Sequence, residues 1–328
     1  MNFADIIKEL LNEKVQETSS DNLSWTTLCK SLLQERHDTL TLSELSNHLN
    51  ECILSLINSK PRENSRFVKG ILERPFYLAF IEMLKNCFEN NGEFPQSVKT
   101  SQLHMLENVN LLRMKEIEEE MKRIINSWNG FPLVFEEIHR NNLNEFLFKF
   151  LTIKDYNTFL GLRTTLGSAT QSPPSLIECI NSFTLRHVKS NAKNAKPNRS
   201  NISNTLTVGA KALSKHCHRD ISRSFWGICS GTEKQKNEQA NQILAKIITN
   251  AAWINLHLLP HDTRVFEVRT SDGYGARWEI WEPKQMQSCD DSRENNDSRD
   301  DDNDKPKIIF RGFLEPQMEN GHSKGWIH

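Results

Sequence analysis

The chain has 328 residues, 37% of them hydrophobic and 25% charged, with 41 Lys and Arg against 42 Asp and Glu. That apolar share can bury a core, which excludes collagen, coiled-coil rods and a wholly disordered chain, and the length suits two domains at ~100–200 residues each. The formal net charge of -1 excludes a globally basic nucleic-acid binder and leaves only a local basic patch open.

The first 190 residues place apolar side chains at helical spacing. Phe3, Ile6, Ile7, Leu10 and Leu11 make one stripe, and Trp25, Leu28, Cys29, Leu32 and Leu33 make the next. A third runs from Leu42 to Ile57. A fourth covers Phe67 to Phe88 and is interrupted at Pro75, whose missing amide should break the helix after Glu73. Met114 to Trp128 form a stripe ended by Asn129-Gly130, and further helices are predicted at about 135–150, 154–166 and 175–189. The expectation is an all-α array over 1–189.

Residues 190–205 (SNAKNAKPNRSNISNT) hold one sizeable apolar side chain, Ile202, and read as a flexible linker. Beyond it the composition changes, because five of the seven Trp and six of the eleven His lie from His216 onward. A short helix at about 207–218 precedes the turn Gly227–Gly231. A long helix follows with Ala240, Ile243, Leu244, Ile247, Ile248, Ala251 and Ile254 on one face, capped by Ser230 or Thr232 and stopped by Pro260. Strand patterns come last: Val265–Arg269 and Ala276–Trp281 around Ser271-Asp272-Gly273, where Asp-Gly is a hairpin signal, then Lys307–Leu314. Between the last two lies an acidic insert at 286–305, whose like charges and lack of apolar residues predict disorder. The fold class expected is mainly α, a helical array followed at 206–328 by a smaller α+β domain with a three-stranded antiparallel sheet.

The stretches KALSKHCHR, FEVRTSDGYGARW and FRGFLEPQMENGHSKGWIH resemble the C-terminal part of a family of uncharacterised eukaryotic proteins. The resemblance covers about the last third of the chain. It implies a domain boundary and no activity or ligand.

Four constellations could carry chemistry. His216 and His218 would share a face on a strand but lie about 200° apart on a helix. With His322 and His328 from the tail they could assemble a zinc site from afar, although the ligand spacing of a known zinc class is absent and no cofactor is the simpler expectation. Gly227-x-Cys229-x-Gly231 formally matches a nucleophile elbow with Cys in place of Ser, but no convincing strand leads into it. His216, His218, Cys229 and His257 are therefore the weak catalytic candidates. Lys211, Lys215 and Arg219 fall at i, i+4 and i+8, a basic stripe of the form that meets a polyanion, although a solvated helix face or a counter-charge to the acidic insert is the commoner use of such a pattern. Finally, if Phe266, Val268, Trp278, Ile280, Ile308 and Phe310 face the core, Arg269, Arg277 and Arg311 share the opposite face with Glu267 and Glu279. That face is either an anion cradle or a ladder of ion pairs.

The seven cysteines are scattered and never spaced C-x-x-C, which predicts a reducing compartment. The start MNFADIIKELLNEK has acidic residues and no basic leader, and no apolar run approaches the ~20 residues of a membrane span. An intracellular protein, cytoplasmic or nuclear, is expected, with protein partners on the helical half and no membrane. Its C-terminal module would recognise an anionic group, with nucleic acid or another polyanion as the partner. The alternative is a hydrolase or transferase with its site in that His/Cys/Arg/Trp-rich module.

Overall fold

The structure is a computed structural model that describes residues 2–17, 23–35, 70–99, 111–163, 167–169, 172–186, 206–217, 225–281 and 307–316. The stripe at 42–57, the linker at 190–205, the insert at 286–305 and the candidates His218, Arg219, His322 and His328 lie outside the described residues.

Ten α-helices are described: α1 (Phe3–Gln16), α2 (Leu23–Leu33), α3 (Tyr77–Glu89), α4 (Gln96–Lys99), α5 (Leu111–Ser127), α6 (Glu137–Glu145), α7 (Ile153–Phe159), α8 (Leu176–Thr184), α9 (Val208–His216) and α10 (Glu233–Thr249). Their limits follow local chemistry. Asn2 caps α1 by accepting the Asp5 amide at 2.9 Å, and α5 stops at Asn129 and Gly130, both with positive φ (57° and 113°). Residues 70–76 are not helical, so the stripe leading into α3 breaks at Pro75 as its missing amide requires. The helix expected over 135–150 is α6 continued by a π-helical turn, Phe146–Phe150.

The buried faces are the apolar stripes read from the sequence. Tyr156 of α7 stacks on Phe80 of α3 (centroids 4.7 Å apart, 4° between planes), and its hydroxyl donates to the Leu147 carbonyl at 3.0 Å. Burial pushes the Cys29 thiol up to about 12, which suits a cysteine acting as a small hydrophobe. No helix of the described residues is long and apolar enough to cross a membrane.

The C-terminal region is α+β, with a sheet of four antiparallel strands in the order β1-β2-β3-β4: β1 (Ala251–Leu259), β2 (Thr263–Thr270), β3 (Gly275–Trp281) and β4 (Lys307–Leu314). Three strands were expected. The fourth, β1, takes the end of the predicted long helix, which stops at Thr249 instead of running to Pro260. Asn250 leaves the helical region (φ -104°, ψ 21°), and its side-chain amide donates to the Lys246 carbonyl at 2.8 Å. Residues 251–256 are buried without alternation, so this strand is covered on both faces and its apolar run fits helix spacing as well as strand.

The β2–β3 hairpin turns where Asp272-Gly273 predicts, with Gly273 at φ +87° donating to the Thr270 carbonyl at 2.9 Å. Helices α8, α9 and α10 pack on the face that carries Phe266, Val268, Trp278 and Phe310. Trp278 Nε1 donates to the Cys179 carbonyl of α8 at 3.1 Å, and the Phe183 ring meets Phe310 edge-on at 4.8 Å. That packing leaves residues 253, 255, 257, 267, 269, 277 and 279 on the opposite face, since side chains alternate along a strand.

A candidate active site on the second face of the sheet

Glu267 lies at the centre of this second face. It stands in the middle of β2, paired with Asn255 on β1 and Arg277 on β3, and its side chain is 3% exposed. A carboxylate this buried needs compensation by charge and hydrogen bonds. It has both. Arg277 Nε donates to Oε1 at 2.5 Å, and Arg269 Nε donates to Oε2 at 3.3 Å. His257 Nε2 stands 3.5 Å from Oε1.

The two arginines are not equivalent. The Arg269 side chain is 3% exposed, and its guanidinium is also bound to the Gly273 carbonyl (2.8 Å) and the Glu315 carbonyl (3.1 Å). Burial lowers its pKa, opposed by Glu267. Arg277 is 28% exposed, so it can meet a ligand while still touching the carboxylate. Arg311 does not join them. A register shift between Arg277 and Trp278 intervenes, and Arg311 pairs instead with Glu279 at 3.0 Å near the edge of the sheet.

His257 is half-buried. Its pKa is lowered from the ordinary 6.5, first by burial, with Arg277 and Arg269 adding to the effect and Glu267 opposing it. The imidazole is therefore neutral at neutral pH. A carboxylate beside Nε2 favours a proton on that nitrogen and leaves Nδ1 as the acceptor.

The other sequence candidates fall elsewhere. His216, at the end of α9, is 7% exposed. It bonds Glu315 through Nδ1 at 2.5 Å, with its ring against Trp226 and Phe313. Cys229 lies in the loop before α10, 3.2 Å from the Ser214 hydroxyl, and Thr232 caps that helix. The residues that would lead into this loop as a strand, 218–224, lie outside the described residues, and the neighbouring Cys217 thiol is pushed up to about 11, chiefly by burial. Lys211 and Lys215 are exposed on α9, on the helix-covered side of the sheet and away from Glu267. Among the described residues, no group of three or more His, Cys, Asp and Glu could hold a metal ion.

Asn255, and Ser168 whose hydroxyl donates to its Oδ1 at 2.8 Å, were not singled out from the sequence. Asn255 is 1% exposed and stands two residues before His257 on the same face of β1. With β1 read as helix, 255 and 257 point apart. As a strand they point together.

Residues 195–282 match the family model of the CdiA C-terminal tRNase toxin domain. This finding replaces the resemblance to uncharacterised eukaryotic proteins. Two of the three stretches that carried that resemblance, Lys211–Arg219 and Phe266–Trp278, fall inside the matched residues, where the second is the β2–β3 hairpin with its turn. Neither the curated proteins nor the solved structures give a match to the chain. The matched residues take in α9, α10 and β1 to β3, and with them His257, Glu267, Arg269 and Arg277.

Proposed function

We propose that the face of the sheet carrying His257, Glu267 and Arg277 is the active site of a ribonuclease. The observation that carries the reading is the convergence of an imidazole and two guanidiniums on one buried carboxylate, within the residues that match a tRNase toxin domain. It favours the enzymatic alternative over a pure interaction module and makes the expected nucleic-acid partner a substrate.

Phosphodiester transfer within RNA needs a base for the 2′-hydroxyl and a cation for the charge that builds on the phosphate oxygens. His257 is neutral at neutral pH and serves as the base. Glu267 has both oxygens engaged, so it acts as the group that orients the imidazole and stabilises the imidazolium once formed. Arg277 is the reachable guanidinium, able to take two phosphate oxygens through its planar fork. Arg269 holds Glu267 in place from beneath. In the step itself the 2′-oxygen attacks the adjacent phosphorus while its proton passes to His257. The bond to the 5′-oxygen breaks, and that oxygen takes a proton from water. The products are a 2′,3′-cyclic phosphate and a 5′-hydroxyl.

The test is cleavage of transfer RNA and of short RNA by the full chain in the presence of EDTA, with products analysed for their termini. Cleavage is expected to persist in chelator and to leave cyclic phosphate. His257→Ala should cost about 10²–10⁴ in rate, the usual range for a positioned base. An RNA with a 2′-deoxy sugar at the scissile position should remain intact. Cleavage of that analogue, or full activity in His257→Ala, refutes the mechanism.

A further inference from the structure

The second face of the sheet continues past the proposed site toward the other end of β3. Four residues beyond Arg277 stands Trp281, opposite Lys307 of β4, and Glu279 between them stands opposite Ile309. Opposed residues share a face, and Ile280 and Ile308 pack against the core from the helix-covered side. Trp281, Lys307 and Ile309 therefore lie on the face that carries Arg277. The Trp281 ring is half-buried, with Lys307 Nζ 5.8 Å from its centroid and the exposed Ile309 on the neighbouring strand. The exposed side chain of Arg311 reaches the same end of the sheet, where it meets Glu279 at 3.0 Å. Arg277, Lys307 and Arg311 outnumber Glu279 there, which makes this end of the face positive. An accessible aromatic ring among cations is the arrangement on which a single nucleic-acid strand stacks its bases.

We propose that Trp281 is a stacking platform for one base of an unpaired RNA strand, set beside the nucleotide whose phosphate Arg277 holds. The inference rests on the ribonuclease reading for the placement of that phosphate. The stacking contact stands independently of cleavage.

Strand rise puts the Cα atoms of Arg277 and Trp281 about 13 Å apart, so the ring meets a neighbour of the nucleotide at Arg277 and not that nucleotide's own base. Every base has a π face, and the platform therefore selects an accessible base, whatever its identity. In a duplex both faces of a base are covered by its stacked neighbours, which restricts the site to loops, ends and other unpaired stretches. Lys307 has two parts to play. Its ammonium over the ring adds a cation–π contact that steadies the indole, and its charge, with that of Arg311, attracts the passing phosphates. Since β4 lies beyond the residues that match the toxin domain, the chain supplies these two cations from outside the matched segment.

The experiment uses the full chain and two probes: a single-stranded RNA with a 2′-deoxy sugar at the scissile position, for binding, and the all-ribose strand, for cleavage. Trp281→Ala should weaken binding about 5–150-fold, the usual worth of one base on an aromatic ring. It should raise KM by a similar factor with kcat unchanged, because the ring touches no reacting atom. Trp281→Phe keeps a π face and should recover most of the loss. The decisive measurement moves one abasic nucleotide along the binding strand. Wild type should lose affinity at a single position near the scissile phosphate, and Trp281→Ala should be indifferent to the lesion there, since ring and base act as one pair. Annealing the strand to its complement should abolish the difference between the two proteins. Equal affinities of wild type and Trp281→Ala, abasic losses that simply add to the substitution, or no binding of the strand by wild type overturns the inference. If the coupling is found while the all-ribose strand stays intact, the ribonuclease reading falls and the stacking site stands. Cleavage without the coupling has the opposite meaning.

Discussion

Glu267→Gln is the most demanding test of the site, because the substitution keeps shape and removes only charge. Losing one partner of a buried pair generally costs about 3–5 kcal/mol, since the other charge is left uncompensated. Here the stranded cation is Arg269, 3% exposed and already depressed in pKa by burial. Two features soften the loss: Arg269 keeps the Gly273 and Glu315 carbonyls, and the Gln amide oxygen can still accept one bond. A cost of about 3 kcal/mol is therefore expected, a drop in Tm on the order of 5–10 °C. Glu279→Gln is the internal control. It breaks the Glu279–Arg311 pair, whose arginine is 54% exposed, so solvent screens the interaction and a loss below about 1 kcal/mol is expected. Glu267→Gln should also lower the His257 pKa further, because Glu267 is the group that raises it. The acid limb of RNA cleavage then moves to lower pH while the maximal rate falls. Thermal denaturation of both variants, with the pH profile of cleavage, reads all of this. If Glu267→Gln melts with Glu279→Gln and cleaves RNA like wild type, Glu267 neither holds the sheet face together nor serves the reaction.

The same depressed imidazole makes stability depend on pH with a definite sign. Below pH 6.5 the unfolded chain protonates residue 257 while the folded chain resists, so His257 destabilises the fold as pH falls from 6.5 toward its folded value; a urea series should show a shallower pH dependence for His257→Gln than for wild type across that window. Gly209→Ala should destabilise the α8–α9 contact, because a Cβ would stand 2.1 Å from Cζ of the buried Phe183 ring; about 1–3 kcal/mol or more is expected by denaturant titration, and an unchanged midpoint would mean that α9 does not sit this close. We expect the exposed Lys211 and Lys215 on α9 to add diffuse affinity for RNA: reversing both to Glu should reduce the log–log salt slope of binding by at least about 1.4, at 0.7 per lost single-strand phosphate contact, and leave kcat unchanged. An unaltered slope would assign them to a solvated helix face.

What the sequence disclosed and what it concealed divide along a physical line. The helix stripes of α1, α3 and α5 and the alternation in β2 and β3 are local patterns, and Arg269, Arg277 and Glu267 fall on one face by counting twos. Local pattern could not place β1. Ala251 and Ile254 continue the helical spacing of Ile247 and Ile248, Pro260 supplies a helix stop, and a strand buried on both faces shows no alternation to contradict them. Reading that segment as helix costs more than a boundary. It separates Asn255 from His257 and hides the imidazole from Glu267, so the base of the proposed reaction survives only as a residue near a helix end. Arg311 fails for a different reason, since its neighbours alternate correctly but a register shift between β3 and β4, with Gly312 at φ +144°, carries it to Glu279 instead of Glu267. Ser168 lies furthest from legibility. A serine in a short segment has no periodicity, and only the pairing of 167–169 with β1, about 90 residues away in sequence, brings its hydroxyl to the Asn255 amide. The parts of the site supplied by one hairpin could be read from composition and alternation. The parts that join it from elsewhere come from chain crossings, which no local pattern encodes.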